Sequence, residues 1–336
     1  MNIYIAAYLF AIATLLPSTI LFAQNQSEIA FQIPEADLIP EGITYDPMEK
    51  AFYVSSTYKR KIVKINSKGI VTDFTTEKDE LLGVLGLQVD PERRILWAVC
   101  ATGADYMPIK DLTDEIDGSS GIFKYDLQTG TLIKKYTRGN LAKRSFLNDL
   151  TIDQQGKVFI TDTMNGEILS IDPDKDSLYS YLEVPKGYHP NGIDISPDGH
   201  FLFVALYNPT PGGSILRMNI NTRESELLEL PENETIEADG LYYFQQSLIA
   251  VQPGIKDKIV ARYYFDDNYT RIIKVESLVT DQQKELAQPT TGVVVDGDFY
   301  FIANSQLQIF RQIFNENKVL SENNLKDPLI LKVRVI

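Results

Sequence analysis

Six residues of this chain, Glu41, Leu85, Asn148, Asn191, Asp239 and Thr291, stand at the same point of six copies of one short pattern. The copies read EGITYDPMEKAFYVSS, LGLQVDPERRILWAVC, NDLTIDQQGKVFITDT, NGIDISPDGHFLFVAL, DGLYYFQQSLIAVQ and TGVVVDGDFYFIAN. Glu41 and Asp239 offer carboxylates, Asn148 and Asn191 offer amide oxygens, and the phase holds no sulfur and no imidazole. Such a donor set suits a hard cation, Ca²⁺ first, with Mg²⁺, Mn²⁺ or Zn²⁺ as the other candidates. Two carboxylates also balance a double positive charge. Asn and Asp are common turn residues, which would explain any one of these positions. Four oxygen-donor residues at one phase of a repeat point instead to a shared metal site. Leu85 and Thr291 are not expected to be ligands.

The elements that must carry these residues follow from the repeat itself. Successive starts lie 44, 63, 43, 48 and 52 residues apart, the spacing of four-stranded propeller blades. Each copy holds two apolar runs joined by a turn such as Asp-Pro, Gln-Gly or Pro-Asp-Gly, and further β-rich runs such as KIVKIN, GIFKYDL or SILRMNI follow. The fold expected is therefore all-β, a six-bladed β-propeller of four-stranded antiparallel blades. The innermost strand of a blade starts near the axis, so the six phase residues should ring one mouth of the central channel. The last run, ILKVRVI, looks like a third strand with no fourth after it. The segment EIAFQIP, residues 28–34, is the one β-like run left over, and it is expected to close the last blade and cover its open edge.

Composition narrows the class of partner. The 336 residues carry 46 Asp and Glu against 32 Lys and Arg, a formal net charge of -14. A nucleic-acid surface needs clustered positive charge, so none is expected. Residues 1–23, MNIYIAAYLFAIATLLPSTILFA, hold no charged side chain and precede a polar stretch. They read as a signal peptide, leaving residues 24–336 as one propeller domain, secreted or periplasmic, with no stable membrane insertion after cleavage. Cys100 is the sole cysteine, so no intrachain disulfide forms, and its apolar neighbours mark it as a buried small hydrophobe. Without coiled-coil heptads the chain is expected to be a monomer or weak dimer.

Glu41-Gly42 after Pro40, Asn148-Asp149, the PNGIDISPDG run from Pro190 to Gly199, and Asp239-Gly240 resemble the metal-site segments of the gluconolactonase and senescence-marker-protein (regucalcin-like) family. More widely they resemble paraoxonases and diisopropylfluorophosphatases. The resemblance runs over residues 39 to 302 as spaced motifs. It implies a Ca²⁺-dependent hydrolase of a small lactone or ester outside the cytoplasm, with Glu41, Asn191 and Asp239 as core ligands and Asn148 on the metal or the substrate. It also implies a carboxylate base, Asp239 first and Asp149 second. The His dyad associated with paraoxonase chemistry has no match, because His189 and His200 are the only histidines. His200 follows a turn on the far face and is expected at the surface. His189, just ahead of Asn191, and Asp162, at the end of the second strand of blade three, are expected near the substrate. Long connections at residues 101–120 and 304–326 should overhang the channel mouth, with Tyr106 and Met107 as apolar substrate contacts. The other reading is a non-catalytic ligand-binding propeller in which the ion serves stability.

Overall fold

A computed structural model describes residues 27–103, 105, 107–210, 212–315 and 325–336, with side chains treated up to Gln312 in the last helix. The expected leader, residues 1–23, and Tyr106 lie outside the described residues. No helix among the described residues is long and apolar enough to cross a membrane.

The described residues form six four-stranded antiparallel sheets arranged as the blades of a propeller. Their inner strands are Ile43–Asp46, Gly83–Asp90, Leu147–Ile152, His189–Ile195, Gly240–Tyr243 and Gly292–Val295. Within each blade the strands alternate short turns with runs rich in Val, Ile, Phe and Tyr, which suit a pleated surface buried on both faces. The core is accordingly divided into six apolar clusters, one between each pair of neighbouring blades. Tyr53 of blade one packs with Leu96 of blade two, for example, and Val54 of blade one with Ile302 of blade six. Cys100 is fully buried in one of these clusters, and burial pushes its thiol pKa up.

Closure is made by the first strand. Glu28–Gln32 pairs antiparallel with Leu329–Arg334, Ile29 opposite Leu331 and Gln32 opposite Leu329, and so completes blade six. Phe31 of this strand lies 5.1 Å from Phe52 of blade one, tying the closing strand across the seam. The bared edge of Leu329–Arg334 would otherwise be a template for pairing with another chain.

The phase residues do not begin regular pairing themselves. In blades one to four each stands two positions ahead of a paired residue, Glu41 before Ile43, Leu85 before Leu87, Asn148 before Leu150 and Asn191 before Ile193, and in blades five and six one position ahead, Asp239 before Gly240 and Thr291 before Gly292. In blades two, three and four the register breaks at this point, between Val84 and Leu87, Leu147 and Leu150, and Pro190 and Ile193. A bulge re-aims a side chain that a regular strand would send into the sheet face. In blade one the same redirection comes from Ile39, a β-branched residue at φ 47°. Its carbonyl is held by both the backbone N–H and the hydroxyl of Thr57, and the turn delivers Pro40 and Glu41 to the axis.

Five of the six phase residues are followed by glycine. A Cβ on Gly42 would stand 2.1 Å from the Leu85 carbonyl oxygen, and one on Gly192 would stand 2.7 Å from that of Asp239. Adjacent inner strands therefore touch through backbone, and no other residue fits. Gly42→Ala is expected to destabilise the fold by more than the usual ~1 kcal/mol of a point substitution, read as a lowered midpoint in urea. An unchanged midpoint would mean that the inner strands have slack. Removing residues 27–32 should lower the melting temperature and produce association visible by light scattering, and a truncated chain as stable and monodisperse as the full one would contradict the closing role.

Candidate functional site

At the mouth of the channel the side chains of blades four and five meet directly. Asn191 Nδ2 donates to Asp239 Oδ1 at 3.0 Å. Asn148 Nδ2 donates to Thr163 Oγ1 at 3.1 Å, and the Thr163 hydroxyl donates to the Pro190 carbonyl at 2.6 Å, next to Asn191. Both amides thus turn their nitrogens to protein acceptors, leaving their oxygens without a donor among the described residues. Glu41 is buried, and its backbone carbonyl accepts from the hydroxyls of Thr290 at 3.0 Å and Thr291 at 2.6 Å. The hydroxyl of Thr291 is committed to the backbone in this way, and Leu85 belongs to an apolar cluster, so neither offers a ligand.

The carboxylates are crowded. Burial pushes the Glu41 pKa well up from the ordinary range, and the charges of Asp239 and Asp149 push it further. Asp239 is raised to about 6, by burial first, against the opposing hydrogen bond from Asn191 and the charge of Arg311. Asp149 is raised to about 7 by burial, although Leu150 N–H at 2.9 Å and Ile193 N–H at 3.4 Å both donate to it. Asp149 occupies the place that glycine holds in the other five blades. There its carboxylate lines a central cavity of about 140 Å³ together with Gly42, Gly86, Asp194, Tyr242 and Thr291.

Above this ring lies an open pocket of about 370 Å³ lined by Phe146, Thr163, Met164, His189 and Arg311. His189 is thus at the mouth, with Nδ1 3.0 Å from the Thr163 carbonyl oxygen. His200 is exposed and paired with Asp198 on a turn. Two expected substrate contacts are corrected by their surroundings. Met107 is 1% exposed and packs into the cluster of Ile39, Leu307 and Phe310, so it is core. Asp162 is fully buried and saturated within its own neighbourhood: it accepts from Ser145 Oγ at 2.7 Å, Phe146 N–H, Asn165 N–H and Asn165 Nδ2, with Arg138 Nε 3.3 Å away. It ties down a connection of blade three and does not face the pocket.

The sequence reading missed Arg311. The long connection between the second and third strands of blade six, Asp298–Ile302 and Leu329–Arg334, contains a helix, Leu307–Asn315. Leu307 and Phe310 are buried against Ile39 and Met107, and Gln306 clamps the base of the insertion through the backbone N–H and carbonyl of Lys326. Arg311 follows Leu307 by four residues, hence shares its face. Burial lowers its pKa while the charges of Glu41 and Asp239 raise it, which places the guanidinium within electrostatic reach of both. The spacing Leu307, Phe310, Arg311 was the available signal. Asp194, raised to about 6 by burial at the other end of the cavity, was likewise overlooked.

The family model described as the SMP-30/gluconolactonase/LRE-like region matches residues 39–241. The chain belongs to this family. No curated protein sequence matches it. Among solved structures it is similar to a gluconolactonase from Xanthomonas campestris, at 13% identity and a TM-score of 0.59, over 91% of this chain and 89% of that one. It is also similar to virginiamycin B lyase from Staphylococcus aureus, at 18% identity, a TM-score of 0.57 and 82% of each chain. A luciferin-regenerating enzyme shares 12% identity and a TM-score of 0.58 over 92% of this chain and 95% of that one. These likenesses show the propeller.

The donor set fits a hard divalent ion of the kind expected from the family's motifs. Among the described residues no group of three or more His, Cys, Asp or Glu gathers as ligands would. The candidate set has only two carboxylates and takes its remaining oxygens from amides, which Ca²⁺ accepts readily. Without an ion the raised pKa values have a definite sign. A carboxyl bound more tightly to its proton in the folded state stabilises the fold below the ordinary carboxylate range, and that contribution is lost as pH rises through about 6 for Asp239. In chelator, Asp239→Asn should therefore melt above the wild-type chain at pH 7.5 and by a smaller margin at pH 5, the two converging only below the ordinary carboxylate pKa of 3.8. Equal melting at both values would show that the Asp239 charge is not under strain.

Proposed function

We propose that the chain is a divalent-metal-dependent hydrolase of the lactonase or esterase type, with Ca²⁺ as its ion and a small lactone or ester outside the cytoplasm as its substrate. The observation that carries this reading is the meeting of Glu41, Asn191 and Asp239 at the channel mouth, directly below an open pocket. Glu41, Asn191 and Asp239 would hold the ion, with Asn148 as a further oxygen on the ion or the substrate. A divalent ion there supplies the charge that polarises an ester carbonyl.

The rest of the chemistry belongs to the chain. Asp239 presents a carboxylate at the mouth, oriented by the Asn191 amide, and is the first candidate to take a proton from water. Asp149, whose pKa burial raises in the ion-free chain, lines the central cavity below and is the second candidate for the base. The Phe146 and Met164 side chains give the pocket an apolar wall on one side, while His189 can donate or accept a hydrogen bond through its remaining ring nitrogen.

A panel of lactones and aryl esters assayed with and without chelator tests the reading, together with elemental analysis of the purified protein. Turnover should vanish on chelation and return with Ca²⁺. Asp239→Asn should lower kcat/KM by ~10²-fold or more, the ordinary worth of a positioned base. Thr291→Ala should change metal affinity little, because Thr290 still holds the Glu41 carbonyl. Chelator-resistant turnover, or no turnover with a fully loaded ion, would refute it.

A further inference from the structure

Among the described residues, Arg311 is a cation without an ion-pair partner, and it lines an open pocket. Its Nε is buried and has no hydrogen-bond partner, and no described carboxylate closes an ion pair with it. A half-buried guanidinium left so is costly unless an anion arrives, because removing a charge from water must be compensated by pairing. Glu41 and Asp239 are within electrostatic reach but do not contact it. If both are engaged by a divalent ion, as the reading above requires, two negative charges cancel two positive ones. The guanidinium, which lines the pocket above, is then left with neither of these carboxylates to answer it.

We propose that Arg311 selects substrates carrying a carboxylate, holding that group in the pocket above the Glu41–Asp239 ring while the scissile carbonyl reaches the ring itself. The planar fork of a guanidinium matches a carboxylate in a bidentate pair, and its position is fixed by the helix rather than by a free loop. Leu307 and Phe310 pin the rotation of that helix, and Gln306 pins its base. The pocket, at about 370 Å³, is of the size that encloses small ligands.

The remaining lining says what the body of the substrate is like. Phe146 and Met164 are apolar. Thr163 already donates to Pro190 and accepts from Asn148, and His189 Nδ1 is occupied by the Thr163 carbonyl. Of the side chains lining the pocket, the second nitrogen of His189 and the guanidinium remain to meet polar groups, with the Asn148 oxygen at its floor. A polyhydroxylated sugar lactone would find few side-chain partners for its hydroxyls there and gain little over water, whereas a carboxylated lactone or ester with a largely hydrocarbon body uses the guanidinium and the apolar wall. The substrate class is therefore an anionic, sparsely hydroxylated lactone or ester.

This inference deepens the hydrolase reading and rests on it, so the test separates the two. The full chain with CaCl₂ is assayed on 5-oxotetrahydrofuran-3-carboxylate and its isosteric neutral partner, 5-oxotetrahydrofuran-3-carboxamide. Binding of the non-hydrolysable tetrahydrofuran-3-carboxylate and tetrahydrofuran-3-carboxamide is measured by calorimetry. The carboxylate of each pair should be preferred by tenfold or more, Arg311→Gln should bring both ratios close to one, and Arg311→Lys should retain part of the preference. Binding selectivity that depends on Arg311 without turnover of either lactone supports the anion site and refutes the hydrolase reading. Turnover with no carboxylate preference in the wild-type chain, or a preference that survives Arg311→Gln, overturns the inference and leaves the hydrolase reading standing. A wild-type ratio near one overturns the inference even if a variant fails to fold, and Arg311→Lys, which keeps the charge but not the fork, tests the guanidinium if Arg311→Gln does not fold.

Discussion

Six inner strands crowd one axis so closely that, next to the mouth, backbone meets backbone. The close approach of Gly42 to the Leu85 carbonyl and of Gly192 to the Asp239 carbonyl is the constraint on which the rest of the structure depends. It sets the width of the channel, and it forces the residue before each glycine to the rim. It also makes ring closure an all-or-none matter, since each inter-blade core is completed only when its neighbour is seated. The Thr290 and Thr291 hydroxyls on the Glu41 carbonyl form the last such contact, between the final blade and the first.

The same crowding creates the electrostatic demand of the site. Side chains aimed at a narrow rim have nowhere to separate, so the charge of Asp239 raises the pKa of Glu41 in addition to the cost of burial that both carry. Blade three adds to the demand because Asp149 stands where its counterparts are glycine. Its carboxylate reaches over the gap to Ile193 N–H of blade four and replaces a backbone contact by a charged one. A fold that concentrates Glu41, Asp149, Asp194 and Asp239 around one axis is strained by its own charge unless protons or a cation relieve it.

The features that repeat were legible in the sequence, and those that occur once were not. The phase of Glu41, Asn148, Asn191 and Asp239 could be read because six copies report the same geometry, and the closing strand because the last copy lacked its fourth run. The bulges ahead of Leu87, Leu150 and Ile193 left no residue signature, since the ring residues look like ordinary strand starts. Met107 was misjudged because an apolar residue in an insertion fits either a substrate wall or a core, and only the packing of Ile39 against Phe310 decides. Asp162 was misjudged for the opposite reason: a carboxylate near a site invites a catalytic role, while Ser145, Phe146 and Asn165 had already saturated it. Arg311 was hidden by a segment whose polar composition masked a two-residue apolar face.

Symmetry and asymmetry divide the work of the mouth. The repeat supplies oxygens at equivalent places, which is what a small ion without directional preference requires. A substrate needs the opposite, a site with sides. The insertions of blades two and six provide them by packing together: Met107 from one, Leu307 and Phe310 from the other, and Ile39 from the entry to blade one form a single apolar footing. Beside it Phe146, Thr163, Met164 and His189 of blades three and four line the pocket. Arg311 lines the same pocket from a helix whose rotation the footing fixes. Repacking Leu307 or Phe310 would therefore move the guanidinium without touching the oxygens of the ring, which makes the identity of the ligand separable from the chemistry performed beneath it.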